Sequence, residues 1–432
     1  MTSSRSGGGE AGAAGQSTAK RRPPTSTSLA SRAALISAAV GFALVVWILR
    51  RPDQFLHPYV WVEEYKLLNT YQAEGLLHVV SMPLGGYFLW PTSLSVGFAA
   101  AVSFLHVPRI DYLLSTAWFV ATLCLILAPA SALRLQWRVG MAALLVLAPI
   151  NPEVFGIAAY IFWWVTLWPL ITLIWSQDYW PLRIPVLILG GMSSLAGSAL
   201  VVPYAVLFVM TRQRRYAAGT VVLGATSVVQ AIGYLTSARL QQIPLDPGNI
   251  VLQELHNFTY YAFGWLNPVD QGFLGLAGAC ILLTILGVVA YEVARQHTPY
   301  TNEMVGLVMG LLVLGVLSSV PAPLISLPFA AGPRYYFLPY AVLAWVLLII
   351  AVTSELRWAR VGASVLIVMS LLSLPQNFSR HEEFVSWSSQ LARCQTDNAP
   401  FSVPVEFDGV ITDMWHDNLY IQAQTCHRLG YR

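Results

Sequence analysis

The sequence predicts an all-α polytopic membrane protein of about eleven transmembrane helices, with juxtamembrane helices on its outer face and a small C-terminal outer tail. Three observations point there. Of 432 residues, 56% are hydrophobic and only 10% charged, with a mean hydropathy of +0.59, and no soluble core needs so many apolar runs. The runs are continuous, where a β-barrel would alternate. Fifteen Trp and nineteen Tyr suit aromatic belts at the membrane–water interfaces. A formal net charge of +3 is too small to imply a nucleic-acid partner and leaves the lipid bilayer as the expected surroundings.

Residues 1–32 read as a disordered cytoplasmic arm, rich in Ser, Gly, Ala and Thr and carrying Lys20, Arg21, Arg22 and Arg32 near its end, cations that hold the N-terminus inside. Residues 33–375 read as the transmembrane domain. Its first span, about 33 to 49, is long for a signal-peptide core and no small-residue cleavage site follows, so it reads as a retained anchor. Further apolar stretches cover about 84–105, 112–133, 138–150, 154–175, 184–210, 217–236, 272–294, 304–326, 335–354 and 361–375. One crossing each gives about eleven spans, with Arg134 and Arg138 outside and Glu153 inside. An alternative lays 84–105 along the outer leaflet and splits 184–210 at Ala196-Gly197-Ser198. It gathers Arg134, Arg138, Arg183, Arg212, Arg214, Arg215, Arg295, Arg357 and Arg360 in the cytoplasm, as the positive-inside rule favours. Against it, 84–105 is long enough to span by itself. In both arrangements the outer loops 50–83, 237–271 and 327–334 and the tail, 376–432, share the outer face.

The four cysteines make no disulfide framework. Cys124 and Cys280 sit inside apolar spans as packing residues, whereas Cys394 and Cys426 lie in the tail, where one bridge is open to them if the tail faces an oxidising compartment. No CxxC or His/Cys cluster indicates a structural zinc site.

Because charge is scarce, its placement carries information. The stretch from His57 to Pro91 holds Glu63, Glu64, Lys66, Glu74 and His78. Two adjacent acids at the mouth of a membrane protein suit a general base facing water, or simply a solvated interfacial helix. Arg334 opens a span beside Tyr335 and Tyr336; a guanidinium among rings at a helix start either grips a phosphate through two hydrogen bonds or snorkels within an aromatic belt. Asn151-Pro152-Glu153 is either a helix-breaking turn or, if outside, a second carboxylate for the outer cavity. Tyr87, after Gly85-Gly86, either lines an acceptor groove or belongs to ordinary glycine–aromatic helix packing, and His256 in the 237–271 loop is either a polar loop residue or a catalytic candidate. Walker, GxSxG, HExxH and dinucleotide motifs are missing, so nothing indicates a cytosolic nucleotide site.

Trp61-Val62-Glu63-Glu64, then Pro83 with Gly86-Tyr87 and Pro91, resembles the start of bacterial proteins of the GT-C superfamily of membrane glycosyltransferases. Those carry a "W-x-E-D-G" motif followed by "p-x-x-G-Y" and a proline. Pro152-Glu153 with Trp164, the Arg212 to Arg215 run, and Arg334-Tyr335 with Pro339 are similar to later landmarks, so the resemblance covers most of residues 33–415 through short, degenerate motifs. Glu64 stands where Asp is usual and Tyr65 where Gly is usual, which puts the loop geometry in question.

The resemblance implies a GT-C-like fold in a bacterial inner membrane, N-terminus cytoplasmic and C-terminus outside, and a glycosyltransferase taking sugar from a polyprenyl-phosphate donor. The acceptor would be a glycan or lipid of the envelope or of an exopolysaccharide. By position, Glu63 and Glu64 match the catalytic loop acids, Glu153 the second-loop acid and Arg334 a donor-phosphate contact, with Tyr335, Lys66, Tyr87 and His256 as binding candidates. The base would take the acceptor proton as the hydroxyl attacks the anomeric carbon, inverting it. No cofactor is required, although a divalent cation could neutralise the leaving phosphate. A flippase for lipid-linked sugars, which would show internal repeats and midplane ionisable residues, and a polysaccharide polymerase are the alternatives.

Overall fold

The computed structural model describes residues 29–236, 247–264, 271–295, 300–319, 333–381, 386–397, 400–403, 406–407, 410–411 and 419–430. The chain is largely helical, and 6 of the described helices are long and apolar enough to cross a membrane: Leu29–Arg50, Phe104–Leu127, Arg214–Leu235, Gly275–Arg295, Thr301–Ser319 and Arg334–Thr353. Shorter apolar helical stretches cover Leu135–Val146, Ala158–Leu173, Trp180–Gly191 and Leu195–Thr211. This is an all-α membrane protein. Most of the arm (1–28), parts of the 237–271 and 327–334 loops, and Asp408 and Trp415 of the tail lie outside the described residues.

The short pieces arise where the sequence breaks the backbone ladder. The 154–175 run divides into a 3-10 turn at Ala158–Tyr160 and helices Ile161–Thr166 and Trp168–Leu173; Pro169, at the start of the last, has no N–H to continue the preceding helix. The 184–210 run breaks at Met192–Ser194, a few residues before the expected point, because the Ser194 hydroxyl caps Gly197 N–H at 3.0 Å. Gly197 itself sits in the short helix Leu195–Ala199, where a Cβ would collide with the Gly190 carbonyl. The 84–105 stretch holds a helix of only 13 residues, Trp90–Val102, about 20 Å long against a hydrocarbon core of roughly 30 Å.

Within the 237–271 loop, Pro247–Phe263 is a helix of 17 residues packed on the helix Gln271–Arg295. Its Leu255 backbone comes so close to Gly278 that a side chain there would overlap it. Glu254, His256 and Asn257 are buried on this helix, and it was their polarity that disguised the segment as a loop.

The helix ends sort into two sets. At one end Arg50, closing the first helix, donates to the carbonyls of Ala148 (3.2 Å) and Ile150 (2.6 Å), and Arg380 N–H donates to Arg50 O at 3.1 Å. At the far end of Val107–Leu127, Arg138 binds the Leu127 and Ala128 carbonyls. There Arg183 and Arg215 both donate to Trp175 O, at 3.1 and 2.7 Å, and Arg215 faces Glu303 at 3.6 Å. Arg334 starts, and Ser354 follows, the helix Phe337–Thr353, so Arg357 belongs to this second, basic end.

The tail caps the first end. Its strand Leu419–Ile421 pairs antiparallel with Phe401–Val403, and Cys394 is bridged to Cys426. The unit docks on the helix Tyr65–Glu74: Gln72 donates to Tyr420 O (2.8 Å) and accepts from Gln422 N (3.0 Å) and Thr425 Oγ1 (2.7 Å). Trp387 Nε1 donates to Phe104 O at 2.9 Å.

Candidate active site

Beneath that cap, an aromatic knot fixes the loop that carries the site. Trp47 stacks on Phe119 at 4.3 Å, and Trp164 packs against Trp47, Phe119, Phe155 and Phe337 with centroids 4.7 to 5.3 Å apart. Trp164 Nε1 also donates to Val154 O at 2.9 Å, tying the knot to the turn Pro152–Val154. That turn is capped by Asn151, whose Oδ1 accepts from Glu153 N at 3.0 Å. Glu153 is thereby held, buried, at the same end as Glu63.

Glu63 and Glu64 share the one-turn 3-10 helix Val62–Glu64 and point apart. Glu64 is buried and brackets two loops, its Oε2 accepting from Trp61 N (2.9 Å) and its Oε1 from Ala159 N (3.0 Å). Burial pushes its carboxyl up to about 7, opposed by those amides. Glu63 is half-buried and turns to the cavity. Its Oε1 lies 2.8 Å from Tyr160 Oη and 3.4 Å from Arg334 Nη2. Burial raises its carboxyl, Arg334 opposes the shift, and Glu153 adds to it.

Arg334 joins the two acids: its Nη1 stands 2.6 Å from Glu153 Oε1. Arg380 approaches Glu153 Oε2 at 3.9 Å, and the Arg334 guanidinium lies 5.4 Å from the ring centroids of both Tyr160 and Tyr335. Tyr160 Oη touches both acids, 2.8 Å from Glu63 and 2.9 Å from Glu153, and accepts from Trp61 Nε1 at 2.9 Å.

These groups border a cavity of about 460 Å³ walled by Glu63, Lys66, Tyr87, Tyr160, Phe162, Trp163, Arg334 and Tyr335. Tyr87 reaches it from a tight turn bridged between Leu84 and Tyr87, in which Gly85 and Gly86 have φ of 62° and 94°, a conformation suited to glycine. A groove of about 530 Å³ along the exposed side of Arg357–Leu372 has Arg357 and Arg360 but no acid on its wall.

The structure therefore brings together Glu63, Lys66, Tyr87, Arg334 and Tyr335, with Glu153 directly behind Arg334. It leaves out Glu64, turned into the protein, and His256, buried on the Pro247–Phe263 helix facing Gly275. Tyr160 and Arg380 are site residues the sequence did not flag. Tyr160 sits in the apolar run Ala158 to Val165, where the one available signal is that a buried phenol needs a hydrogen-bond partner. Among the described residues no three His, Cys, Asp or Glu side chains cluster, and the Arg334 guanidinium stands between the Glu63 and Glu153 carboxylates.

Glu63 thus presents a carboxyl, and Arg334 a two-pronged cation, to one aromatic-walled space. Compared with family models, curated proteins and solved structures, the chain matches none.

Proposed function

We propose that this chain is a GT-C-like glycosyltransferase that moves a sugar from a polyprenyl-phosphate donor to a hydroxyl of an envelope or exopolysaccharide acceptor, at the outer face of a bacterial inner membrane. The observation that carries the proposal is the shared cavity of Glu63 and Arg334. A guanidinium fork matches a phosphate, aromatic walls suit a sugar face or an isoprenoid, and a carboxylate a few ångströms away can take the acceptor proton. The hydroxyl attacks the anomeric carbon as the bond to the phosphate oxygen breaks, one displacement that inverts the centre. The lipid phosphate leaves, and Arg334 stabilises its added negative charge.

Orientation follows from charge and redox chemistry. The arginine-rich end belongs in the cytoplasm by the positive-inside rule. The Cys394–Cys426 bridge, at the acid end, suits an oxidising outer compartment.

The test is transfer by purified, bilayer-reconstituted protein from a polyprenyl-phosphate sugar, with release of polyprenyl phosphate as readout. Glu63→Gln should lower the rate about 10²- to 10⁴-fold, the usual worth of a general base. Translocation of the donor across the bilayer without phosphate release would instead mark a flippase and end the enzyme assignment.

A further inference from the structure

Tyr160 has more acidic neighbours than its single hydrogen can serve. Its Oη lies 2.8 Å from Glu63 Oε1 and 2.9 Å from Glu153 Oε1. One lone pair is already taken by Trp61 Nε1 at 2.9 Å. A phenol donates once, so the two close carboxyl contacts are both hydrogen bonds only if one carboxyl brings its own proton. Arg334 decides which: its Nη1 is 2.6 Å from Glu153 Oε1, whereas its nearest approach to Glu63 is 3.4 Å, and Arg380 adds a second cation 3.9 Å from Glu153 Oε2. With two cations facing it, Glu153 is the better placed of the two acids to take the phenol hydrogen. Both contacts are then satisfied if Glu63 carries a proton and donates it to Tyr160.

A base that rests protonated has to be switched on. We infer that Tyr160 is a proton conduit between Glu63 and Glu153, and that a lipid phosphate arriving on Arg334 drives it. The inference rests on the donor reading given above. The phosphate draws Arg334 away from Glu153, whose carboxylate, having lost its closest cation, becomes the better proton acceptor. Tyr160 passes its hydrogen to Glu153 Oε1 and receives the one from Glu63 Oε1. Glu63 is then a carboxylate facing the cavity, formed only when donor is present. Burial raises the Glu63 carboxyl, with Arg334 opposing the shift.

The cycle closes in atoms and charge. The acceptor hydroxyl proton goes to Glu63 as the new glycosidic bond forms and the bond to the phosphate oxygen breaks. The departing lipid phosphate, one negative charge richer, takes the proton from Glu153, and Arg334 falls back on the Glu153 carboxylate. Glu63 is left protonated, as it began. The other charged groups nearby do not break the chain: Lys66 stands on the cavity wall, and Glu64 is held by the Trp61 and Ala159 amides. Coupling base formation to donor binding would also keep the carboxylate from abstracting protons from stray hydroxyls in an empty site.

The experiment is infrared difference spectroscopy on the full chain in lipid nanodiscs, with dodecyl phosphate as the probe and its binding followed independently by calorimetry. The expected result is that binding removes a protonated-carboxyl band absent from Glu63→Gln and creates one absent from Glu153→Gln. In Tyr160→Phe, at probe concentrations where calorimetry shows the site filled, the Glu63 band should stay. Binding to the unmodified protein with the Glu63 band unchanged overturns the relay and leaves the donor reading standing. No binding of dodecyl phosphate removes both. A complete band exchange in Tyr160→Phe overturns the conduit role, and the unmodified protein's spectrum decides the relay even if that variant does not fold.

Discussion

Arg334 Nη1 lies 2.6 Å from Glu153 Oε1 across 181 residues of sequence, and both side chains are largely withdrawn from water. The contact ties the start of the helix Phe337–Thr353 to the Pro152–Val154 turn, and the aromatic knot on Trp164 holds that turn.

Removing one partner of such a pair should cost more than the pair contributes. Arg334→Ala leaves the buried Glu153 carboxylate with the Tyr160 hydroxyl at 2.9 Å and the 3.9 Å approach of Arg380, and a loss of about 3–5 kcal/mol is expected. Arg334→Lys keeps the charge without the fork, so it should fold and yet raise KM for the lipid-phosphate donor about tenfold or more. Chemical denaturation in detergent and steady-state kinetics check the two effects separately. A Lys variant with unchanged KM removes the phosphate role from this side chain.

Glu64 should give stability a pH dependence that Glu63 variants do not abolish. Its carboxyl is raised from 4.5 to about 7 by burial, so the folded state binds the proton more tightly than the unfolded one. Stability is then greatest below about 4.5 and falls as pH rises toward about 7, where the folded group finishes ionising. Glu64→Gln should flatten this slope in denaturation curves taken between those limits. It should also lower stability by about 1–3 kcal/mol, since an amide cannot accept from both backbone N–H groups.

Much of the site was legible because charge is rare in this chain. Glu63, Lys66 and Arg334 stood out against an apolar background, whereas the turn at Gly85-Gly86 that delivers Tyr87 was not read from the glycines. Sequence could not say which of Glu63 and Glu64 faces the cavity, because a one-turn 3-10 helix gives no period to read. Tyr160 was hidden among aromatic residues, its role set by neighbours 97 positions away. Hydropathy found the apolar material but not the interruption at Pro169, and the break in 184–210, expected at Ala196-Gly197-Ser198, falls a few residues earlier at Ser194, because both residues act on backbone hydrogen bonds that a window average does not see. The Pro247–Phe263 helix failed the opposite way: burial of Glu254, His256 and Asn257 is a tertiary fact that makes a packed helix look like a loop.

His256 gives a test by contrast. It faces Gly275 on the Gln271–Arg295 helix and is absent from the cavity wall. His256→Gln should therefore leave donor KM and the pH profile of transfer unchanged, with any effect confined to thermal stability. A kinetic change without a stability change would bring this helix into the site.

Gly86 has φ of 94°, where a Cβ costs about 1–2 kcal/mol. Gly86→Ala should lower stability by that amount and, by re-aiming Tyr87, raise KM for one of the two substrates more than it lowers kcat. If Tyr87 lines the acceptor groove, the acceptor KM moves and the donor KM does not; the opposite pattern would assign Tyr87 to the donor.

The orientation can be decided with two engineered cysteines, once Cys124 and Cys280, both exposed on the bundle surface, are replaced by alanine. Ser388 is exposed in the tail that caps the acid end, and Arg357 is exposed at the basic end. They are attached to opposite ends of the bundle, because Trp387 binds Phe104 at the start of the Val107–Leu127 helix while Arg357 follows Ser354 at the far end of Phe337–Thr353. A membrane-impermeant maleimide should label Ser388→Cys in intact cells and Arg357→Cys only after the membrane is opened. The bridge between Cys394 and Cys426 protects those thiols as long as the tail stays oxidised, so labelling without added reductant reports the new cysteine alone. Reversed labelling would put Glu63 and Arg334 in the cytoplasm, where the charge rule and the disulfide both argue against them, and an outer-face reaction would have to be abandoned.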